Sequence, residues 1–162
     1  MLPGTAGARQ PFFSPDGRQV AFFSDNQLKR LLIGEEAPHP ICPAYAPRGG
    51  SWGDDDFIVL GTKAQNGLSR VPASGGKAEA FTFIDSAKHE LNHRFPRVLP
   101  GGSAVLFTAT LSRVERSVAV QRSGSREHTT VVEHAEAPQY AHDQLFYRNE
   151  QAELMEIGRA HV

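Results

Sequence analysis

Phe12-Phe13-Ser14-Pro15-Asp16-Gly17 is a tight-turn phrase that runs into the apolar stretch Val20-Ala21-Phe22-Phe23. Proline and glycine pre-shape such a turn. Degraded copies return along the chain. Ser51-Trp52-Gly53-Asp54-Asp55-Asp56 precedes Ile58-Val59-Leu60, and Arg97-Val98-Leu99-Pro100-Gly101-Gly102 precedes Ala104-Val105-Leu106-Phe107. Gln139-Tyr140-Ala141-His142-Asp143 then precedes Leu145-Phe146-Tyr147. Anchored on Asp16, Asp55, Gly101 and His142, the copies lie 39, 46 and 41 residues apart. A period of that size, with strand-like runs at fixed offsets from turns, marks a β-propeller in which each repeat is one blade.

Working outward, the first unit resolves into strand-sized pieces at 10–13, 19–24, 27–33 and 38–42, separated by turns at Pro15-Asp16-Gly17, Asp25-Asn26 and Gly34-Glu35-Glu36. The second gives strands at 57–61, 68–72 and 78–83, with turns at Ala64-Gln65-Asn66-Gly67 and Ala73-Ser74-Gly75-Gly76. The third gives 104–110, 117–122 and 128–132 around Ser123-Gly124-Ser125, and the fourth gives 145–148 and 152–155 around Asn149-Glu150. Fifteen glycines and eleven prolines leave few windows long enough for several helical turns. The runs between them favour Val, Ile, Phe and Thr, which suits half-buried strands. The expected fold is therefore all-β: a partial β-propeller of about three and a half four-stranded blades in an open arc. Its expected divisions are the end of a preceding blade at 1–9, blades at 10–47, 48–92 (with a long connector) and 93–136, and a partial blade at 137–155.

Residues 156–162 break the repeat, and 157–162 read as the in-frame translation of a common sequencing-library adapter. They are set aside from fold reasoning as a scar. Met1-Leu2-Pro3-Gly4-Thr5 has neither the basic start nor the apolar core of a signal peptide. Blades bury their faces only against neighbours, so an open arc with bare strand edges is expected to be marginal or to aggregate on its own.

Composition narrows the function classes. Seventeen basic residues stand against eighteen acidic ones, and no basic run is interleaved with aromatics, which speaks against a nucleic-acid groove. No stretch approaches the roughly 20 apolar residues that span a bilayer. The single cysteine, Cys42, allows no internal disulfide and reads as a small buried hydrophobe at a strand end.

Three strings carry potential chemistry. His89-Glu90-Leu91-Asn92-His93 has the His-Glu-x-x-His spacing of zinc peptidases, where a helix presents both imidazoles to one metal. Pro96 follows too closely for such a helix, and the stretch lacks an apolar face, so a loop between blades and no metal are expected. Asp54-Asp55-Asp56 lacks the alternating spacing of a calcium loop and matches the turn of the first unit, so Gly53, Asp54 and Asp55 read as turn residues beside Ser14, Pro15, Asp16 and Gly17. Pro100, Gly101 and Gly102 read the same way in the third unit, and Trp52 as a core residue between blades. Arg48 and Arg94 occupy matching positions just before the first strands of their units, where propeller connectors crowd one rim or the channel mouth. They are the candidate interaction residues, weighed against scaffold hydrogen bonding. No nucleophile elbow, phosphate loop or kinase catalytic signature is present. A non-catalytic segment without a cofactor is expected.

The Ser14–Gly17 phrase and the apolar strand after it resemble the TolB-like, WD40-like propeller repeat of bacteria. A more specific resemblance rests on Gln10–Gly17, Arg48–Asp55, Gly67–Gly76 and His93–Gly102. These phrases look like those of the propeller found C-terminal to many bacterial eukaryotic-like serine/threonine protein kinases. That resemblance implies an extracytoplasmic binding or sensing module, with a protein or small ligand at one rim and a kinase domain across a membrane helix elsewhere in the parent. A free-standing periplasmic TolB-like protein is the alternative on the same scaffold. The propeller of a prolyl-oligopeptidase-like hydrolase is the alternative from another class.

Overall fold

The computed structural model describes residues 2–63 and 67–158. The expected turn residues Ala64-Gln65-Asn66 and the end of the tail at 159–162 lie outside the described residues. Strands β1 (Arg9–Phe13), β2 (Gln19–Ser24), β3 (Gln27–Leu32) and β4 (His39–Pro43) form the first antiparallel sheet. The second holds β5 (Gly50–Trp52), β6 (Phe57–Gly61), β7 (Leu68–Pro72) and β8 (Glu79–Ala80), and the third β9 (Asn92–Val98), β10 (Ala104–Thr110), β11 (Arg116–Arg122) and β12 (His128–Glu133). A fourth sheet has three strands, β13 (Ala135–Ala141), β14 (Gln144–Asn149) and β15 (Leu154–Ile157). Within each sheet the strands follow chain order, so every blade is a meander whose first strand lies innermost.

The repeated turn has one physical requirement. Its closing residue is left-handed in every blade: Gly17 at φ +69°, Asp56 at +62°, Gly102 at +65° and Asp143 at +61°. Glycine meets that need without a Cβ clash, and aspartate tolerates it better than most residues. Asp16 accepts from the Arg18 N–H at 3.0 Å, and Asp55 accepts from the Phe57 N–H at 3.3 Å. The degraded second copy is thus the same side-chain-braced turn as the first.

A second left-handed residue recurs inside or beside each innermost strand: Gln10 at φ +49°, Gly49 at +95°, Phe95 at +50° and Ala137 at +54°. Strands β1, β9 and β13 slip register there, as β-bulges do. Adjacent blades meet at these kinks. The Gly49 N–H donates to Gln10 Oε1 at 3.0 Å, and the Phe95 N–H donates to the Arg48 carbonyl at 2.7 Å. A Cβ on Gly49 would lie 3.0 Å from Phe95 Cα, so glycine permits the approach of the two backbones.

Apolar faces are buried between successive blades. Ala21, Phe23, Leu28, Trp52, Ile58 and Leu60 join the first sheet to the second, and Val59, Leu68, Val105 and Phe107 join the second to the third. Leu106, Val118, Ala135 and Leu145 join the third to the fourth. Burying each large side chain contributes about 1.5–3 kcal/mol, so the arc is held chiefly by these interfaces.

Two expected pieces differ from the structure. Strand β8 is shorter than 78–83, because the Phe81 and Thr82 N–H groups both turn back to the Leu68 carbonyl. Strand β15 begins two residues later than 152–155, because the turn before it runs from Asn149 to Glu153, with Ala152 left-handed. It takes in Glu156 and Ile157, which the repeat pattern assigns to the tail; Ile157 pairs with Leu145 and packs on the third interface.

Candidate functional site

The turn residues sit together at one end of the inner strands. Ser14 donates to Asp16 at 2.6 Å and accepts from the Gln19 N–H at 2.9 Å. Asp54 accepts from the Gly101 N–H of the next blade at 2.7 Å, and Asp55 pairs with Arg70 at 2.5 Å. Asp54 and Asp55 are therefore committed to different scaffold contacts, unlike ligands converging on one cation. Trp52 is buried among Phe12, Phe23 and Ile58, whereas Phe13, its counterpart in the first unit, is 63% exposed. A cleft of about 560 Å³ opens here, lined by Phe12, Phe13, Trp52, Arg97 and Tyr140. Cys42 is buried, and burial pushes its thiol up to about 11, which keeps it protonated and inert.

At the other end, where connectors enter the inner strands, the structure brings Arg48 and Arg94 into electrostatic range of each other. Partial burial, then the Arg94 charge, lowers the Arg48 pKa. Arg94 donates from Nε to Asn92 Oδ1 at 2.6 Å, while Arg48 Nη1 is buried without a hydrogen-bond partner. Arg97, three residues along β9 and already at the turn-end cleft, donates to the Tyr140 carbonyl at 3.3 Å and leaves its Nε buried and unpartnered. Among the described residues, none of the three arginines has a carboxylate within ion-pair distance. Cations placed this way raise the local potential and favour an anion.

The His-Glu-x-x-His string takes a different form from a zinc helix. A single turn of 3-10 helix, Ser86–Lys88, ends at the left-handed and exposed His89, and β9 starts at Asn92. His89 and His93 do not converge. Instead Glu90 turns inward between His93 and His128, the latter at the start of β12. Glu90 Oε2 lies 3.1 Å from His93 Nε2 and accepts from the Asp85 N–H at 2.6 Å, while Oε1 lies 2.7 Å from His128 Nε2. The far nitrogen of His93, Nδ1, lies 2.7 Å from Thr82 Oγ1, which accepts from the Leu68 N–H at 2.8 Å. Phe107 covers both rings, 4.4 Å from His93 and 5.4 Å from His128.

This cluster is nearly dry: the side chains of Glu90, His93 and His128 are 4%, 0% and 5% exposed. Burial pushes the Glu90 pKa up, but the hydrogen bonds from His128, His93 and the Asp85 N–H outweigh it and hold the carboxyl well below its usual range. Burial likewise pushes the His93 pKa down, against the pull of Glu90, which keeps the imidazole neutral. With a proton on Nε2, His93 donates to Glu90 and accepts from the Thr82 hydroxyl, so both of its ring nitrogens are satisfied. His128 and Thr82 were not picked out by sequence. They lie 38 residues after and eight residues before Glu90, and only the packing of two blades unites them.

No family model matches the chain, and no curated protein matches it. Solved structures show its fold. A TolB of Agrobacterium tumefaciens aligns with a TM-score of 0.76 at 16% identity, over 92% of this chain and 56% of that one. A gluconolactonase of Xanthomonas campestris aligns at 0.73 and 13% identity, over 92% and 57%. A prolyl endopeptidase aligns at 0.63 and 12% identity, over 96% of this chain and 28% of that one. The chain spans about half the length of the first two and about a quarter of the third. These likenesses make it an all-β propeller segment with TolB-like neighbours, and its function is a separate question.

Proposed function

We propose that this chain is part of a recognition propeller that takes the acidic group of a ligand or protein partner at its connector end. The observation that carries this reading is the Arg48–Arg94 pair. Two like charges are held near each other with no acid in ion-pair distance among the described residues, and one buried guanidinium nitrogen is unsatisfied. Stability alone disfavours that arrangement, because an unpartnered buried donor costs roughly 1–3 kcal/mol. A carboxylate or phosphate would satisfy it, since guanidinium donors match either anion in a two-pronged fork. We place the segment on the extracytoplasmic side of a bacterial serine/threonine kinase, on the strength of the four phrases at Gln10–Gly17, Arg48–Asp55, Gly67–Gly76 and His93–Gly102. Phosphoryl transfer would then belong to another domain of the parent.

Thermal melts in inorganic phosphate against chloride of equal ionic strength test the anion site. The parent chain is expected to gain stability from phosphate beyond the chloride control, and R48Q and R94Q are expected to lose that gain while remaining folded. An equal response of all three proteins defeats the reading. The parent's identity is read from the genomic locus: a kinase catalytic loop followed by a membrane span upstream supports the sensor. The prolyl endopeptidase likeness favours a second reading, a propeller over a hydrolase domain, which requires a nucleophile elbow downstream.

A further inference from the structure

We infer that Glu90, His93 and His128 form a zinc-binding site that pins the long connector of the second blade to the third. Their ligand atoms, one carboxylate oxygen and two imidazole nitrogens, all lie within 4.8 Å of one another. Around a tetrahedral zinc, with bonds of about 2.0–2.2 Å, neighbouring ligand atoms are about 3.3 Å apart. The His93 and His128 nitrogens stand 3.1 Å and 2.7 Å from the two different oxygens of Glu90, both a little under that value, so small rotations of the two rings and of the carboxylate open the space. A set of two nitrogens and one oxygen suits zinc and other late divalent ions, whereas calcium and magnesium call for oxygen alone.

The surroundings are those of a built site. Zinc-binding histidines have their second ring nitrogen held by a hydrogen-bond acceptor, and Thr82 Oγ1 stands 2.7 Å from His93 Nδ1. The Asp85 N–H fixes the orientation of the Glu90 carboxylate. Metal binding therefore needs one tautomer change at His93: the Nε2 proton leaves, and a proton on Nδ1 donates to Thr82. His128 would likewise bind through Nε2, the nitrogen that faces Glu90. The three ligands are almost fully buried, which suits an ion that holds the fold rather than one that meets a substrate. The role is structural. Glu90 belongs to the connector, His93 to the innermost strand and His128 to the outermost strand of the third blade, so one ion ties three segments.

Metal-free parent chain, titrated with zinc against a chromophoric chelator, is expected to bind one equivalent and to melt at a higher temperature as zinc rises. H128Q keeps an amide N–H aimed at Glu90 but lacks the imidazole, and is expected to bind zinc roughly a hundredfold or more weakly. H89Q, which alters the exposed histidine of the sequence pattern, is expected to bind like the parent. Absence of a stoichiometric site, or loss in H89Q with retention in H128Q, overturns the inference. X-ray absorption on the zinc-loaded parent decides even if H128Q does not fold. Two imidazole nitrogens at about 2.0 Å support the site, and one or none overturns it.

Discussion

The two ends of the inner strands solve the same problem, joining one strand to the next, by different means. At the turn end, each blade repeats one local device: a left-handed closing residue, with a carboxylate brace in the first two blades. At the connector end, the backbone kink repeats but the side chains do not. Gln10, Gly49, Phe95 and Ala137 share a left-handed conformation with nothing in common chemically. The Arg48–Arg94 pair and the buried Glu90 cluster both lie at this end, each assembled from more than one segment. Local geometry makes the turns alike; contacts between blades make the connectors individual.

The largest test of the contrast is Glu90→Ala. It strands two buried imidazoles and the Asp85 N–H that now share one carboxylate. Removing one partner of such a network costs about 3–5 kcal/mol, read as a fall in the urea midpoint of the metal-free chain. A loss no larger than that of a surface substitution would mean that the connector end is held by backbone contacts alone.

The turn end should respond more mildly, and with either sign. Gly17 and Asp56 share one conformation, and a Cβ on Gly17 would meet nothing within 4 Å. Gly17→Ala therefore carries only the backbone penalty, about 1–2 kcal/mol of destabilisation. Asp56→Gly, at an exposed position already in that conformation, is expected to stabilise by about 0.5 kcal/mol. Paired urea melts check both. If the two substitutions move the midpoint in the same direction, the four turns are not physically equivalent.

This difference also explains what was legible in the sequence. The blade pattern could be read because a left-handed turn recruits glycine or aspartate, and Gly17, Asp56, Gly102 and Asp143 show that preference. The inner-strand bulges could not: Phe95 and Ala137 are poor left-handed residues, held there by neighbouring blades, so composition carries no trace of them. Arg48 and Arg94 were reachable from repeat position, and the structure adds that each stands near the other's charge. His128 opens an ordinary outer strand, and only the meeting of two blades turns it toward Glu90. The string around Glu90 drew attention through the wrong pair of histidines. A helical spacing was the only local signal, and the chain is not helical there beyond one short turn.

The smallest effect bears most directly on the proposed anion site. Arg48→Gln removes a charge that burial and Arg94 both oppose, and with it the unpartnered Nη1. The guanidinium is only half-buried, so solvent screens much of the repulsion and the gain in stability should be on the order of 0.5 kcal/mol. The sign matters more than the size. An arginine kept for the scaffold loses stability when replaced, because its hydrogen bonds go with it. One kept for a ligand gains stability and loses binding. A rise in the melting temperature of R48Q in chloride, together with a lost response to phosphate, would separate the two roles in one pair of measurements. A fall in chloride would return Arg48 to the scaffold and leave the connector end with the Glu90 cluster as its one built site.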